Sequence, residues 1–176
     1  ATGAAAIDAR VISAAVSIGV GAVGVGISVG ASLAHNSIGN GIGSGVRATV
    51  TNASLVSTNG SVAVRATMTS SIIALVEGFA VSVAGGVVAV AASGSGASAD
   101  NVIDYDVSAI MSGSTASTYY SGTLNVVATD SSTIDATVRS ASVAGSVGLG
   151  GAAAISVSLA NASLSNTITA RVRDII

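Results

Sequence analysis

The sequence predicts an all-β protein: a repetitive β-solenoid of the parallel β-helix kind, built from units of about 62–65 residues. Three observations carry this. Apolar and small residues alternate with the strand period of two, a sequence phrase recurs three times along 176 residues, and bulky or charged side chains are scarce. Half of the chain is hydrophobic by type, but only 2% is aromatic and 8% charged, with 22 glycines and no proline, cysteine or tryptophan. Such a chain lacks the aromatic bulk for a thick globular core. It suits a thin one, to which each unit adds by packing on its neighbours.

The alternation is clearest between residues 16 and 33. Val16, Ile18, Val20 and Ala22 alternate with Ser17, Gly19 and Gly21, and then Val23, Val25, Ile27, Val29, Ala31 and Leu33 alternate with Gly and Ser. One phase slip separates Ala22 from Val23. The stretch is long enough to raise a membrane helix, but a helix would scatter these Val and Ile residues round every face. Glycine at every second place would also cost about 1 kcal/mol each. The large members, Val25, Ile27 and later Ile155, are expected in an apolar column between coils, with Ser28 and Ser156 facing solvent.

The repeat orders the remaining elements. Ala1-Thr2-Gly3-Ala4-Ala5-Ala6-Ile7, Ala66-Thr67-Met68-Thr69-Ser70-Ser71-Ile72 and Ala128-Thr129-Asp130-Ser131-Ser132-Thr133-Ile134 share one phrase, with Ile spacings of 72 − 7 = 65 and 134 − 72 = 62. Each phrase leads into a Val-alternating run. Leu33 to Asn40 aligns with Leu159 to Asn166, Val46-Arg47 with Val172-Arg173, and the stretch from Asn59 with that from Ser121. The chain therefore divides into unit 1 (1–65), unit 2 (66–127) and a partial unit 3 (128–176). Strands are expected at 7–11, 16–22, 23–33, 42–50 and 61–67, then 72–76, 81–90, 102–110 and 123–129, then 134–138, 143–149, 152–159 and 163–172. Turns are expected at Asn40-Gly41, Asn59-Gly60, Gly85-Gly86 and Gly150-Gly151. If a coil takes roughly 20 residues, each unit holds about three coils, on the order of 14 Å of axial length. The alternative architecture is a stacked antiparallel β-sandwich or prism, for which Asn-Gly is equally good evidence.

The pattern "Ala-Thr, small polar residues, Ile, Val-alternating Gly/Ala, Ala-x-Asn, Val-Arg" resembles the repeats of very large bacterial surface proteins, the filamentous-haemagglutinin-like and leukotoxin-like β-strand-repeat adhesins. The resemblance covers nearly the whole chain and implies a non-catalytic structural segment of an extracellular or cell-surface adhesin, stalk or filament. It gives no receptor, since Arg-Gly-Asp is absent. Further copies of the repeat stacked end to end are the expected partners, with a host or surface glycan as a candidate ligand. The chain starts and stops inside its repeat, closing on Asp174-Ile175-Ile176, and shows no signal peptide. It is therefore expected to be an excised or processed piece of a longer rod. Nucleic-acid binding is excluded by a net charge of −2 and the lack of a basic stripe.

Candidate sites are few. Asp100, Asp104 and Asp106 would share one face of a strand and, with Asn101, suit Ca²⁺. Their counterparts His35, Gly39 and Gly41 exclude a metal repeated along the axis, so a solvated face is the better account and no cofactor is expected. His35, the sole histidine, aligns with Asp100 and Asn161, a polar corner rather than a catalytic base. Asp8 and Asp135 are equivalent, each near an arginine (Arg10, Arg139), but the third equivalent is Ile73, so paired-carboxylate chemistry is not indicated. Tyr105, Tyr119 and Tyr120 form either a sugar contact or a local plug. Asn52, Asn59 and Asn161 head glycosylation sequons that turn-forming asparagine also produces. Other function classes are an ice- or surface-binding solenoid, from Thr-x-Thr at Thr49, Thr67 and Thr167, and an outer-membrane β-barrel. The scarcity of aromatic girdle residues opposes the barrel.

Overall fold

The computed structural model describes residues 1–39, 41, 43–57, 60–118 and 122–175, and of residues 57 and 115–118 the backbone alone. Asn40, Ile42, Asn59, Tyr119, Tyr120 and Ile176, which carry some of the expectations above, lie outside the described residues. Nine strands make up the described chain: β1 (Thr2–Val20), β2 (Val23–Ile38), β3 (Gly45–Thr51), β4 (Ser54–Ser57), β5 (Val62–Ile103), β6 (Asp106–Ser112), β7 (Thr115–Thr118), β8 (Leu124–Leu164) and β9 (Thr167–Arg173). The protein is all-β, and every strand pair is parallel.

Parallel pairing follows from the repeat, because identical phrases are brought side by side. Ile7 lies beside Ile72 and Ile72 beside Ile134. Leu33, Ser98 and Leu159 line up likewise. Cross-strand partners are 61 to 65 residues apart, so each repeat contributes a single layer. This corrects the expectation of three short coils per repeat. The antiparallel alternative fails on the same pairing, and no described sheet closes into a barrel. β5 is the middle strand, flanked by β1 and β2 on one edge and by β8 on the other. β6 sits likewise between β3 and β9, and β4 pairs with β7. Val46 and Arg47 pair through Val107 and Ser108 with Ile168 and Thr169, four residues before the Val172-Arg173 suggested by the alignment.

The phase slip at Ala22/Val23 is real and recurs in each layer. β1 ends at Val20 and β2 begins at Val23, while in β5 the register shifts between Gly85 and Val88. The chain doubles back there, giving each layer two arms that face one another: 2–20 against 23–38 in the first, 62–85 against 88–103 in the second. Gly85-Gly86 lies at this reversal, where a turn was expected, and the register with β8 shifts across it, whereas Gly150-Gly151 is paired with Ala89 and Val90 inside β8. The strands expected at 102–110 and 163–172 are each broken at a corner, at 104–105 and 165–166.

The space between the arms narrows from base to apex. At the base, Val64, Ala66, Met68 and Ile72 pack on Ile38, Ile103, Tyr105, Val107 and Ala109. Higher up the filling shrinks to Val76, Ala97 and Ala99, and then to Ala84, Ala89 and Ala91. Toward the apex the arms are so close that a Cβ on Gly26 would lie 2.8 Å from the Val83 carbonyl oxygen, and one on Gly78 2.5 Å from that of Gly96. Serines bridge the gap: Ser32 Oγ donates to Ser13 Oγ (2.7 Å) and Ser82 Oγ to the Gly26 carbonyl (2.6 Å).

This geometry inverts the expected faces of the apical run. Ser28 is 5% exposed, whereas Val25 and Ile27 are 56% and 65% exposed. The physical reason is the inter-arm distance. Only Gly, Ser and Ala fit between backbones this close, so the branched side chains of the same strands are turned outward.

Candidate functional site

The sequence-selected polar residues fall into two separate arrangements. On the outside of the second arm, His35, Asp100 and Asn161 occupy one register position. His35 Nδ1 lies 3.0 Å from Asp100 Oδ2, and Asn161 Nδ2 donates to Asp100 Oδ1 at 2.8 Å. Directly beside them on the inner face, Asn36 Nδ2 donates to Asn101 Oδ1 at 2.8 Å. These are ladders along the layer direction, made because equivalent positions of parallel layers sit one strand spacing, about 4.8 Å, apart.

The calcium candidate does not assemble. β5 ends at Ile103 and β6 starts at Asp106, so Asp100, Asp104 and Asp106 are divided by a corner. Asp106 pairs with Gly45 rather than Gly41. Among the described residues no group of three or more His, Cys, Asp or Glu side chains is close enough to hold a metal ion. Asp8 and Asp135 are two layers apart with Ile73 between them, about 9.6 Å by strand spacing. Arg139 pairs instead with Glu77, at 4.0 Å. The Thr-x-Thr segments lie on different strands, β3, β5 and β9, and form no common ladder. Among the described residues, the one threonine column in register across three layers is Thr2, Thr67 and Thr129.

Tyr105 is 3% exposed and plugs the corner between β5 and β6. Its hydroxyl donates to Asp130 Oδ1 at 2.6 Å and also meets Ser70 Oγ (2.5 Å) and Ser132 Oγ. Asn166 Nδ2 donates to Asp130 Oδ2 at 2.7 Å. Burial pushes the Tyr105 phenol above its usual 10.0, reinforced by the bond to Asp130 and opposed by those with Ser132 and Ser70. Burial also acts to raise Asp130, but hydrogen bonds from Ser132, Tyr105 and Asn166 outweigh it and hold the carboxyl below its usual 3.8. This closed, satisfied cluster ties a corner across layers. Sequence reasoning passed over Asp130, although an acid among inward-facing Ser and Thr of the repeat phrase was its signal.

What the molecule presents outward is apolar. None of residues 13–34, 78–99 or 140–160 is charged. Even in the middle layer, which has a strand on either side, Phe79, Val83, Val88 and Val90 are 39–46% exposed. A collar of Asp8, Arg10, Glu77, Arg139 and Asp135 bounds this blade on one face, and the His35–Asp100–Asn161 ladder bounds it on the other. The candidate functional feature is therefore a surface, two-sided and aliphatic, rather than a cleft. Comparison with protein-family models, with curated proteins and with solved structures found no match to this chain.

Proposed function

We propose that this chain is a structural, non-catalytic segment of a bacterial extracellular surface protein, an adhesin stalk or filament, folded as a β-solenoid whose layers add along one axis. The observation that carries this reading is the register. Three successive repeats pair in parallel, residue on residue, at a nearly constant step. A fold of that kind can be lengthened by any number of repeats without redesign of its core. His35, Asp100 and Asn161 are engaged in a cross-layer ladder, and Tyr105 and Asp130 in the buried corner. The resemblance to adhesin repeats supplies the extracellular setting. Further copies of the repeat are the proposed partners along the axis, because the parallel edges of β1 and β8 offer N–H and C=O groups for another layer.

Negative-stain electron microscopy with fibre diffraction tests the reading. Rods with a 4.7–4.8 Å reflection along their axis are expected, and compact isometric particles at every concentration would overturn it. Antibody labelling of intact against permeabilised cells of the source organism tests the surface location.

A further inference from the structure

We infer that the two outer faces of the blade are the complementary halves of a lateral interface: Phe79 on one face of one copy inserts into a hollow on the opposite face of a second copy. This goes beyond end-to-end stacking, since it joins copies side by side.

The knob is the chain's single phenylalanine. Phe79 points outward from the middle layer, 39% exposed, and its register neighbours are Ala14 in the first layer and Ala141 in the third. A ring flanked by two methyl groups stands proud of its sheet. The hollow is on the other arm. There the middle layer turns Gly94, Gly96 and Ser98 outward, and a Cβ on either glycine would meet nothing within 4 Å. The walls are Ala31 and Leu33 of the first layer and Val157 and Leu159 of the third. The hollow, open to solvent, has a volume of about 160 Å³. A cavity of about 150 Å³ accepts benzene, so a phenyl ring fits.

Knob and hollow also sit at the same height. Gly78, next to Phe79, lies against Gly96 across the blade. A simple sideways translation of one copy therefore brings its Phe79 over the Gly96 of the next. Outward Val and Ile side chains on both sheets would then interdigitate at about 10 Å, as in a β-sandwich. The contact is heterologous and does not close, so it propagates into an open array. Each face of three layers covers roughly 33 by 14 Å, on the order of 450 Å². Stable pairs bury about 800 Å² per partner. The contact is therefore expected to be weak for this chain and to strengthen as layers are added.

The test is sedimentation velocity on the 176-residue chain across a concentration series. Phe79→Ala removes the knob and Gly96→Leu fills the hollow, and the latter side chain enters open space outside the fold. Each variant alone is expected to lose lateral association by at least tenfold in Kd, with unchanged circular dichroism. An equimolar mixture supplies one intact knob and one intact hollow, and should restore side-by-side pairing of one variant with the other but no open lateral array. Side-by-side association that persists in both variants, told apart from end-to-end rods by negative-stain images, would overturn the inference, because unspecific apolar adhesion does not use these residues. Failure of the mixture to pair, or a monomeric wild-type chain whose hollow instead binds a dodecyl-chain detergent, would overturn it equally.

Discussion

Gly78→Ala and Gly94→Ala are the same chemical change in the same strand, yet they should move stability in opposite directions. Gly78 faces the other arm, where a new Cβ would sit 2.5 Å from the Gly96 carbonyl oxygen. Ordinary contact begins at 3.4 Å, so the arms must part by about 0.9 Å (3.4 − 2.5). A gap of that size forfeits about a quarter to a half of each neighbouring dispersion contact. Overpacking of this kind costs about 1–3 kcal/mol, offset by about 0.4–1 kcal/mol from the stiffer unfolded chain. The net loss is on the order of 1–2 kcal/mol, and at about 2–4 °C per kcal/mol for a chain of this size Tm should fall by roughly 2–8 °C. Gly94 points outward with nothing within 4 Å. Alanine there keeps only the entropic gain, and Tm should rise by about 1–4 °C. Thermal unfolding followed by circular dichroism measures both. A neutral Gly78→Ala beside a destabilising Gly94→Ala would refute the assignment of inner and outer faces.

Ser28→Asp should destabilise by several kcal/mol, because the side chain is buried and its hydroxyl already lacks a partner. Ile27→Asp should stay within about 1 kcal/mol, since Ile27 is exposed. Urea midpoints of the pair decide between this structure and the reverse expectation from sequence. Tyr105→Phe should cost about 1–3 kcal/mol by leaving Asp130 and Ser70 short of a partner in a buried corner, again read from urea titration. Because the folded pKa of Asp130 is depressed, its contribution is present above the unfolded value and is lost as pH falls through the folded one. Stability should decline below about pH 4, and Asp130→Asn should flatten that decline. Tyr105 is raised, so its contribution holds below pH 10 and is lost as pH climbs through the folded value. Asp100→Ala breaks two exposed cross-layer bonds and should cost under about 1 kcal/mol in the same assay.

Much of this protein is legible from residue order alone. Period-two alternation determined that the chain is β, because glycine and branched residues at every second place leave a helix no coherent face. The spacing of Ile7, Ile72 and Ile134 determined which residues are neighbours, and the slip at Ala22/Val23 marked where the chain doubles back. Alternation, however, separates two faces without saying which is inside. Only the tertiary structure decided that Ser28 is inside and Ile27 outside. That choice depends on how closely two arms approach, a distance set by glycines on both arms at once and invisible in either strand by itself. The number of layers per repeat was likewise decided by pairing, since a period of 65 fits one long doubled layer as well as three short coils. The calcium candidate failed at a corner that the sequence reading ran through as continuous strand: the chain breaks at Asp104-Tyr105, where Tyr105 bonds to Asp130, a partner 25 residues away in sequence and in the next layer of the fold.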